Sequence, residues 1–147
     1  MPASFLHTTV DDLYWWTIPA VKDHRGNLAF LQWNDLPFRF KRVYYLYDIP
    51  AGARRGGHAH REQEELLIAV SGSFDVIVHD GNRQKTFHLN HPEKALYIPA
   101  GIWREIENFS ANSICLVLNS QIFSEEDYIR DFDEFLNLKG LSPGAYR

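Results

Sequence analysis

Short apolar runs separated by turn signals dominate this 147-residue chain. "LAFLQW" (28–33) and "RVYYLYDI" (42–49) are rich in aromatic and branched residues, the composition that strands favour. "ELLIAVSGSFDVIVHDGNRQKTFHL" holds two hairpin signals, Ser71-Gly72-Ser73 and Asp80-Gly81. "KALYIPAGIWREIENF" is divided by Pro99-Ala100-Gly101, and "SICLVLNSQIF" follows it. Strands this short and closely spaced predict an all-β sandwich or barrel, not alternating β/α units. One helix is expected, over 124–139. Ser124 would cap it with Asp127 three residues on, Tyr128, Phe132, Phe135 and Leu136 would form its apolar stripe, and Gly140 and Pro143 would stop it. No repeat, linker or low-complexity segment interrupts the chain, so one domain over 1–147 is expected.

Composition narrows the class. Hydrophobic residues make up 45% and aromatics 14%, which describes a globular protein with a real core. No apolar run approaches the length of a bilayer span. "MPASFLHTTVDDLYWW" lacks the basic start and continuous apolar stretch of a signal peptide, so a cytoplasmic protein is expected. Cys115 is the only cysteine; an intrachain disulfide is impossible, which suits a reducing compartment. Its setting, "SICLVLNS", reads as a buried strand. A net charge of −4 gives no support for nucleic-acid or membrane binding through bulk electrostatics. An anionic ligand would need a local cluster of arginines.

Candidate chemistry concentrates in "GARRGGHAHREQEELLIAVSG", residues 52–72. Alternate residues of a strand share a face, so His58 and His60 point the same way, with Glu65 five residues on. Either half of a metal site or a pair of proton-transfer groups fits that pattern. The spacing of Gly52, His58, His60, Glu65 and Gly72 resembles the first sequence motif of the cupin superfamily, which implies a jelly-roll β-barrel. In metal-binding cupins a histidine from a second motif completes the ligand set. That second motif is recognisable around Pro99, Gly101 and Asn108, but Arg104 stands at its histidine position and Glu93 at its leading glycine position. A guanidinium stays protonated and offers only donors, so it cannot ligate a metal. Three candidate ligands remain, His58, His60 and Glu65, and a metal-free, histidine-lined cavity is the favoured expectation.

A closer resemblance covers Trp16 to Phe135. "HRGNLAFLQW", "FKRVYYLYDIP", "RGGHAH", "VSGSFDVIVHDG", "YIPAGIWREIENFS", "CLVLNS" and "DYIRDFDEF" are similar, in this order, to segments of cupin-type sugar 3,4-ketoisomerases of deoxysugar biosynthesis. The resemblance implies thymidine-diphosphate-linked 4-keto-6-deoxyglucose as substrate and a 3-keto-6-deoxyhexose as product. It also implies no metal or other cofactor, and a homodimer that exchanges strands. The family commonly has glutamine at the place of Glu65, and some members have histidine at the place of Arg104.

The residues suit such a reaction. Moving a carbonyl from C4 to C3 needs a base for the C3 proton, a donor near the developing oxyanion, and delivery of a proton to C4. By resemblance His58 is the principal base and His60 its support, although the spacing leaves their order open. In "RVYYLYD", Tyr45 and Tyr47 share one face while Tyr44 and Leu46 share the other. Parity does not say which face meets the ligand, so Tyr44 and Tyr45 are both candidates. Arg42 and Arg55 suit the diphosphate, with Arg104 a further substrate contact. Arg25 is a weaker choice, and Arg39, Arg54 and Arg61 read as solvated charges. Trp103 is placed either against the thymine or sugar, or in the core. His7, His24, His79, His88 and His91 are given no catalytic role. Three other readings remain: a 3,5-epimerase, a metal-dependent cupin enzyme, and a non-catalytic sugar-nucleotide binding module.

Overall fold

Strand parity sorts the buried apolar residues into three clusters, and the clusters define the layers. The computed structural model describes residues 3–32 and 34–141; Pro143, and Trp33 at the end of "LAFLQW", lie outside the described residues. The chain opens with helix α1 (Ala3–His7) and strands β1 (Tyr14–Thr17), β2 (Ala20–Asp23), β3 (Gly26–Ala29) and β4 (Arg42–Leu46). It continues through β5 (Arg55–His60), β6 (Glu65–Ser71), β7 (Phe74–His79) and β8 (Gln84–Leu89). After β9 (Lys94–Ile98), β10 (Trp103–Glu107), β11 (Ile114–Asn119) and β12 (Tyr128–Ile129), it closes with helix α2 (Phe132–Leu138).

Two five-stranded antiparallel sheets, ordered β1-β9-β6-β11-β4 and β12-β5-β10-β7-β8, face each other. This is the double-sheet jelly-roll architecture that the cupin resemblance implied, within the sandwich-or-barrel class predicted from the strand spacing. Their inner faces enclose the main core, including Leu67, Val76, Leu96, Ile106 and Val117. Intervening residues of the same strands face outward. Leu66, Ile68 and Leu118 are covered by Ile18 and Phe38, and Ala59 and Trp103 are covered by Phe5, Phe135 and Leu136. Cys115 is buried in the main core, as its setting suggested. No helix among the described residues is long and apolar enough to cross a membrane.

Two boundaries differ from the sequence reading. The strand in "LAFLQW" is shorter, since β3 ends at Ala29 and Leu31 packs instead against the outer cluster under Phe38. The terminal helix does not run over 124–139. Ser124 makes no side-chain cap bond and opens only a single 3₁₀ turn, Glu125–Asp127. Tyr128 and Ile129 are then extended and pair with His60 and Ala59 at the edge of β5. Ladder hydrogen bonds and burial of Ile129 there override the helical periodicity of the local sequence. Helix α2 starts after Asp131, whose carboxylate accepts the Glu134 amide. Its far end is tied to the N-terminus by Lys139, whose Nζ donates to the Phe5 and Thr8 carbonyls at 2.6 and 2.8 Å.

The two alternative caps give opposite expectations. Asp131→Ala should lower stability by about 1 kcal/mol in urea unfolding, the typical worth of an N-cap. Ser124→Ala should change it by less than about 0.5 kcal/mol, since no cap bond is lost.

Candidate active site

The polar residues of the barrel interior come from strand ends gathered at one mouth. Strand β5 carries His58 and His60 inward, and Arg104 on β10 lies directly across from His58 in the register. The register shifts just after Arg104, and the two backbones approach closely at Gly56. Gly56 has φ +87°, and a Cβ there would sit 3.1 Å from the Arg104 carbonyl oxygen and 3.2 Å from the Glu105 Cα. A side chain is thus disfavoured twice over, by conformation and by space. Glu65 begins β6, Asn119 ends β11 and Arg42 begins β4, and these three are cross-strand neighbours. Arg42 and Glu65, with His58 and Arg104, line a cavity of about 530 Å³, within the usual range of small-molecule sites, roughly 300–1,000 Å³.

Arg104 and Glu65 form the floor. Both are buried, and Arg104 Nη1 pairs with Glu65 Oε1. The rest of the guanidinium donates to the Ile102 carbonyl from Nε and Nη2, at 3.3 and 3.1 Å. Glu65 Oε2 accepts from Asn119 Nδ2 at 2.6 Å and from the Tyr44 hydroxyl at 3.2 Å. Burial by itself would raise the Glu65 pKa, but the Arg104 guanidinium and the two histidines outweigh it and hold the carboxyl well below its usual range. Burial, followed by the Glu65 charge, pushes the Tyr44 phenol up.

The histidines are not equivalent. His58 lines the cavity and is hydrogen-bonded to the Gly56 backbone. Burial, and then the Arg104 charge, push its pKa down to about 3. It is therefore neutral at physiological pH, and its Nε2 has no hydrogen-bond partner. His60 is 0% exposed, lies behind the cavity wall, and has its Nδ1 2.9 Å from Asp127 Oδ2. The two rings meet edge to face, centroids 4.8 Å apart. The Tyr128 ring packs on both, at 4.9 Å from His58 and 4.5 Å from His60. Its hydroxyl accepts from Arg42 Nη2 at 3.2 Å, and the Arg130 guanidinium sits 4.3 Å above its ring.

Of the residues singled out from the sequence, His58, Arg42, Tyr44, Arg55 and Arg104 come together around the cavity, with His60 behind it. Two do not join them. Tyr45 points outward from β4, 59% exposed and against Tyr47, because Tyr44 takes the inward parity. Trp103 faces away from its neighbour Arg104 and packs against Phe132 and Phe135, so its core reading is the one realised. Arg54, read as a solvated charge, lines the cavity and pairs with Glu107 at 2.8 Å. Asp127, Tyr128 and Arg130 were missed because their segment was assigned to a helix. The four residues "DYIR" show no period-two alternation, so no local signal marked them as a strand.

Ligand atoms of His58, His60 and Glu65 lie within 4.8 Å of one another, the spacing of a metal trio. Glu65 Oε1 is nevertheless engaged by Arg104, and a permanent cation in direct contact with the cluster opposes a divalent ion. This donor set does not fit a metal.

A jelly-roll barrel with inward-facing paired histidines at one mouth defines a protein of the cupin class. Residues 11–140 match the protein family described as "FdtA: WxcM-like, C-terminal". The chain is 40% identical over 114 residues to the TDP-4-oxo-6-deoxy-alpha-D-glucose-3,4-oxoisomerase of Aneurinibacillus thermoaerophilus, covering 77% of this chain and 82% of that one. A 3,4-ketoisomerase from Helicobacter canadensis superposes with a TM-score of 0.85 at 41% identity, over 88% of this chain and 98% of the other. QdtA, a sugar 3,4-ketoisomerase from Thermoanaerobacterium thermosaccharolyticum in complex with TDP, gives 0.87 at 30% identity, over 89% and 96%. The chain belongs to the WxcM-like FdtA family.

The neutral, buried state of His58 makes stability sensitive to acid. Its pKa is about 3 in the folded protein and roughly 6.5 in an unfolded chain. Between those values the unfolded state binds a proton that the folded state does not. Stability should therefore fall as pH drops from 6.5 towards 5, by up to about 1.4 kcal/mol per pH unit. Urea unfolding at several pH values should show this slope, and His58→Asn should flatten it.

Proposed function

We propose that this protein is a 3,4-ketoisomerase that converts a TDP-linked 4-keto-6-deoxyhexose into its 3-keto isomer. The observation that carries the reading is the state of His58: a neutral imidazole with an unpartnered Nε2, at an arginine-rich cavity, in a chain of this family. The Aneurinibacillus relative is named for a TDP-linked sugar, and QdtA was crystallised with TDP. A histidine-to-asparagine variant of QdtA was crystallised with TDP-4-keto-6-deoxyglucose itself.

The charges suit that substrate. Arg42 donates only to the neutral groups of Asn119 and Tyr128, and Arg55 has no ion-pair partner among the described residues. Both line the cavity, and their uncompensated charges are available to a diphosphate. With the nucleotide so held, His58 Nε2 takes the C3 proton, which the C4 ketone acidifies, and returns it to C4. The enediolate formed between the two steps carries negative charge on oxygen. Arg104, at the cavity floor, keeps one N–H on each of Nη1 and Nη2 beyond its bonds to Glu65 and Ile102 and is the donor for it.

A strand-exchanging homodimer accompanies this reading. Hairpin β2–β3 pairs with neither sheet and exposes Val21 and Leu28, while β4 is a sheet edge that exposes Val43 and Tyr45. A second copy of the chain is the partner suited to both.

The deciding measurement is NMR of the 4-keto TDP-sugar incubated with the protein in deuterium oxide. A 3-keto product with deuterium at the migrating position is expected. Exchange at C5 with the ketone left at C4 would instead identify an epimerase, and binding without exchange a non-catalytic module. His58→Asn should abolish turnover. Arg55→Gln should raise KM roughly 10-fold or more, the worth of one charge-assisted contact, with a smaller effect on kcat.

A further inference from the structure

Asp127 is a buried carboxylate whose environment the reaction as described does not require. Its Oδ1 accepts the Glu62 amide at 2.8 Å, and its Oδ2 accepts the Gln63 amide at 3.3 Å and lies 2.9 Å from His60 Nδ1. No lysine or arginine pairs with it among the described residues. Burial alone would raise its pKa, but His60 and these two amides outweigh that and keep it lowered. A carboxylate held ionised by donors can only accept, so the hydrogen between Asp127 and His60 is on Nδ1. With that hydrogen on Nδ1, the ring's other nitrogen is Nε2, which is buried and without a hydrogen-bond partner. That nitrogen faces Glu65 Oε2 at 3.6 Å. Glu65 in turn touches the Tyr44 hydroxyl, which reaches the cavity. A row of proton-carrying groups, with a 3.6 Å step between Glu65 Oε2 and His60 Nε2, therefore runs from the cavity through Tyr44, Glu65 and His60 to Asp127.

Ketone migration moves two protons. One goes from C3 to C4, the other from O3 to O4. His58 serves the first, and no group so far has been assigned to the second. We propose that Asp127 is a positioning residue that fixes His60 in the Nδ1–H tautomer, leaving Nε2 free to take up the hydroxyl proton and give it back. The O3 proton passes to the Tyr44 hydroxyl as that hydroxyl releases its own proton towards Glu65, and His60 Nε2 receives it. The path reverses to protonate O4, and no proton is gained or lost. This deepens the ketoisomerase reading of the same site and rests on it. The segment that supplies Asp127 is the one that abandons helix to pair with β5, so the strand pairing Tyr128 with His60 also brings the carboxylate to the imidazole.

The test is ¹⁵N NMR of the histidine rings in the resting protein, combined with kinetics of Asp127→Asn and Asp127→Glu. Wild type should show His60 with Nδ1 protonated and Nε2 bare. Asp127→Asn can present its amide N–H to Nδ1 and should reverse the tautomer. It should lower kcat roughly 100-fold or more, as a wrong tautomer does in other histidine enzymes. KM and the Kd for TDP should stay within about two-fold. Asp127→Glu should recover part of kcat and change its pH profile less than Asp127→Asn does. A wild-type spectrum with Nε2 protonated overturns the proposal, as does a reversed tautomer that leaves kcat intact. Equal losses in kcat and TDP binding would reduce Asp127 to a structural residue and overturn it too. Should Asp127→Asn not fold, the wild-type spectrum and Asp127→Glu decide. Wild type that binds TDP but turns over no substrate defeats the ketoisomerase reading instead, and the resting spectrum still decides the tautomer.

Discussion

The ion pair between Arg104 and Glu65 at the floor of the cavity is the interaction on which the site depends. Neither charge reaches water, so each needs the other. Removing one partner from a buried pair costs roughly 3–5 kcal/mol, chiefly because the survivor is stranded. The Ile102 carbonyl takes two more of the guanidinium's donors, and Asn119 and Tyr44 occupy the carboxylate's second oxygen. Satisfied in this way, the pair orients its neighbours. It also sets the sign of the local field at His58, where the Arg104 charge adds to burial in discouraging protonation. A guanidinium at this place thus converts what could have been a metal cluster into a site for acid–base chemistry.

Around that pair the barrel is divided by residue parity and by strand position. Inward residues in the middle of the strands are apolar and make the core, whereas those at one set of ends are polar and make the cavity. Outward residues of the same strands are covered by separate clusters, so a wrong parity assignment removes a residue from the site altogether. Tyr44 against Tyr45 and Arg104 against Trp103 are the two instances. In each case adjacent residues on one strand have unrelated roles, chemistry on one side and packing or exposure on the other.

Much of the site was legible in the sequence because it lies on two strands with strong local signals. The His-x-His alternation places His58 and His60 on one face, and Arg104 at the histidine position of the second cupin motif removes a metal ligand. Arg42 and Arg55 stand in the motifs that carry the family resemblance, while parity left Tyr44 and Tyr45 as equal candidates. The unread part came from 124–131. There Ser124, Asp127 and the apolar residues beyond have the spacing of a capped amphipathic helix, and only the free edge of β5 decides otherwise. Asp127, Tyr128 and Arg130 were lost with that assignment, as was the real cap, Asp131.

The sequence by itself determined the strand-rich architecture and the pairing of the histidines, because these follow from period-two geometry over a few residues; the cupin resemblance added that Arg104 stands at the histidine position of the second motif. Only the tertiary structure decided which histidine meets the cavity, which tyrosine turns inward, and that Asp127 stands against His60. Those facts depend on contacts between residues as far apart in the chain as 60 and 127. No local pattern encodes them, since hydrogen bonds across a barrel are set by how all its strands pack together.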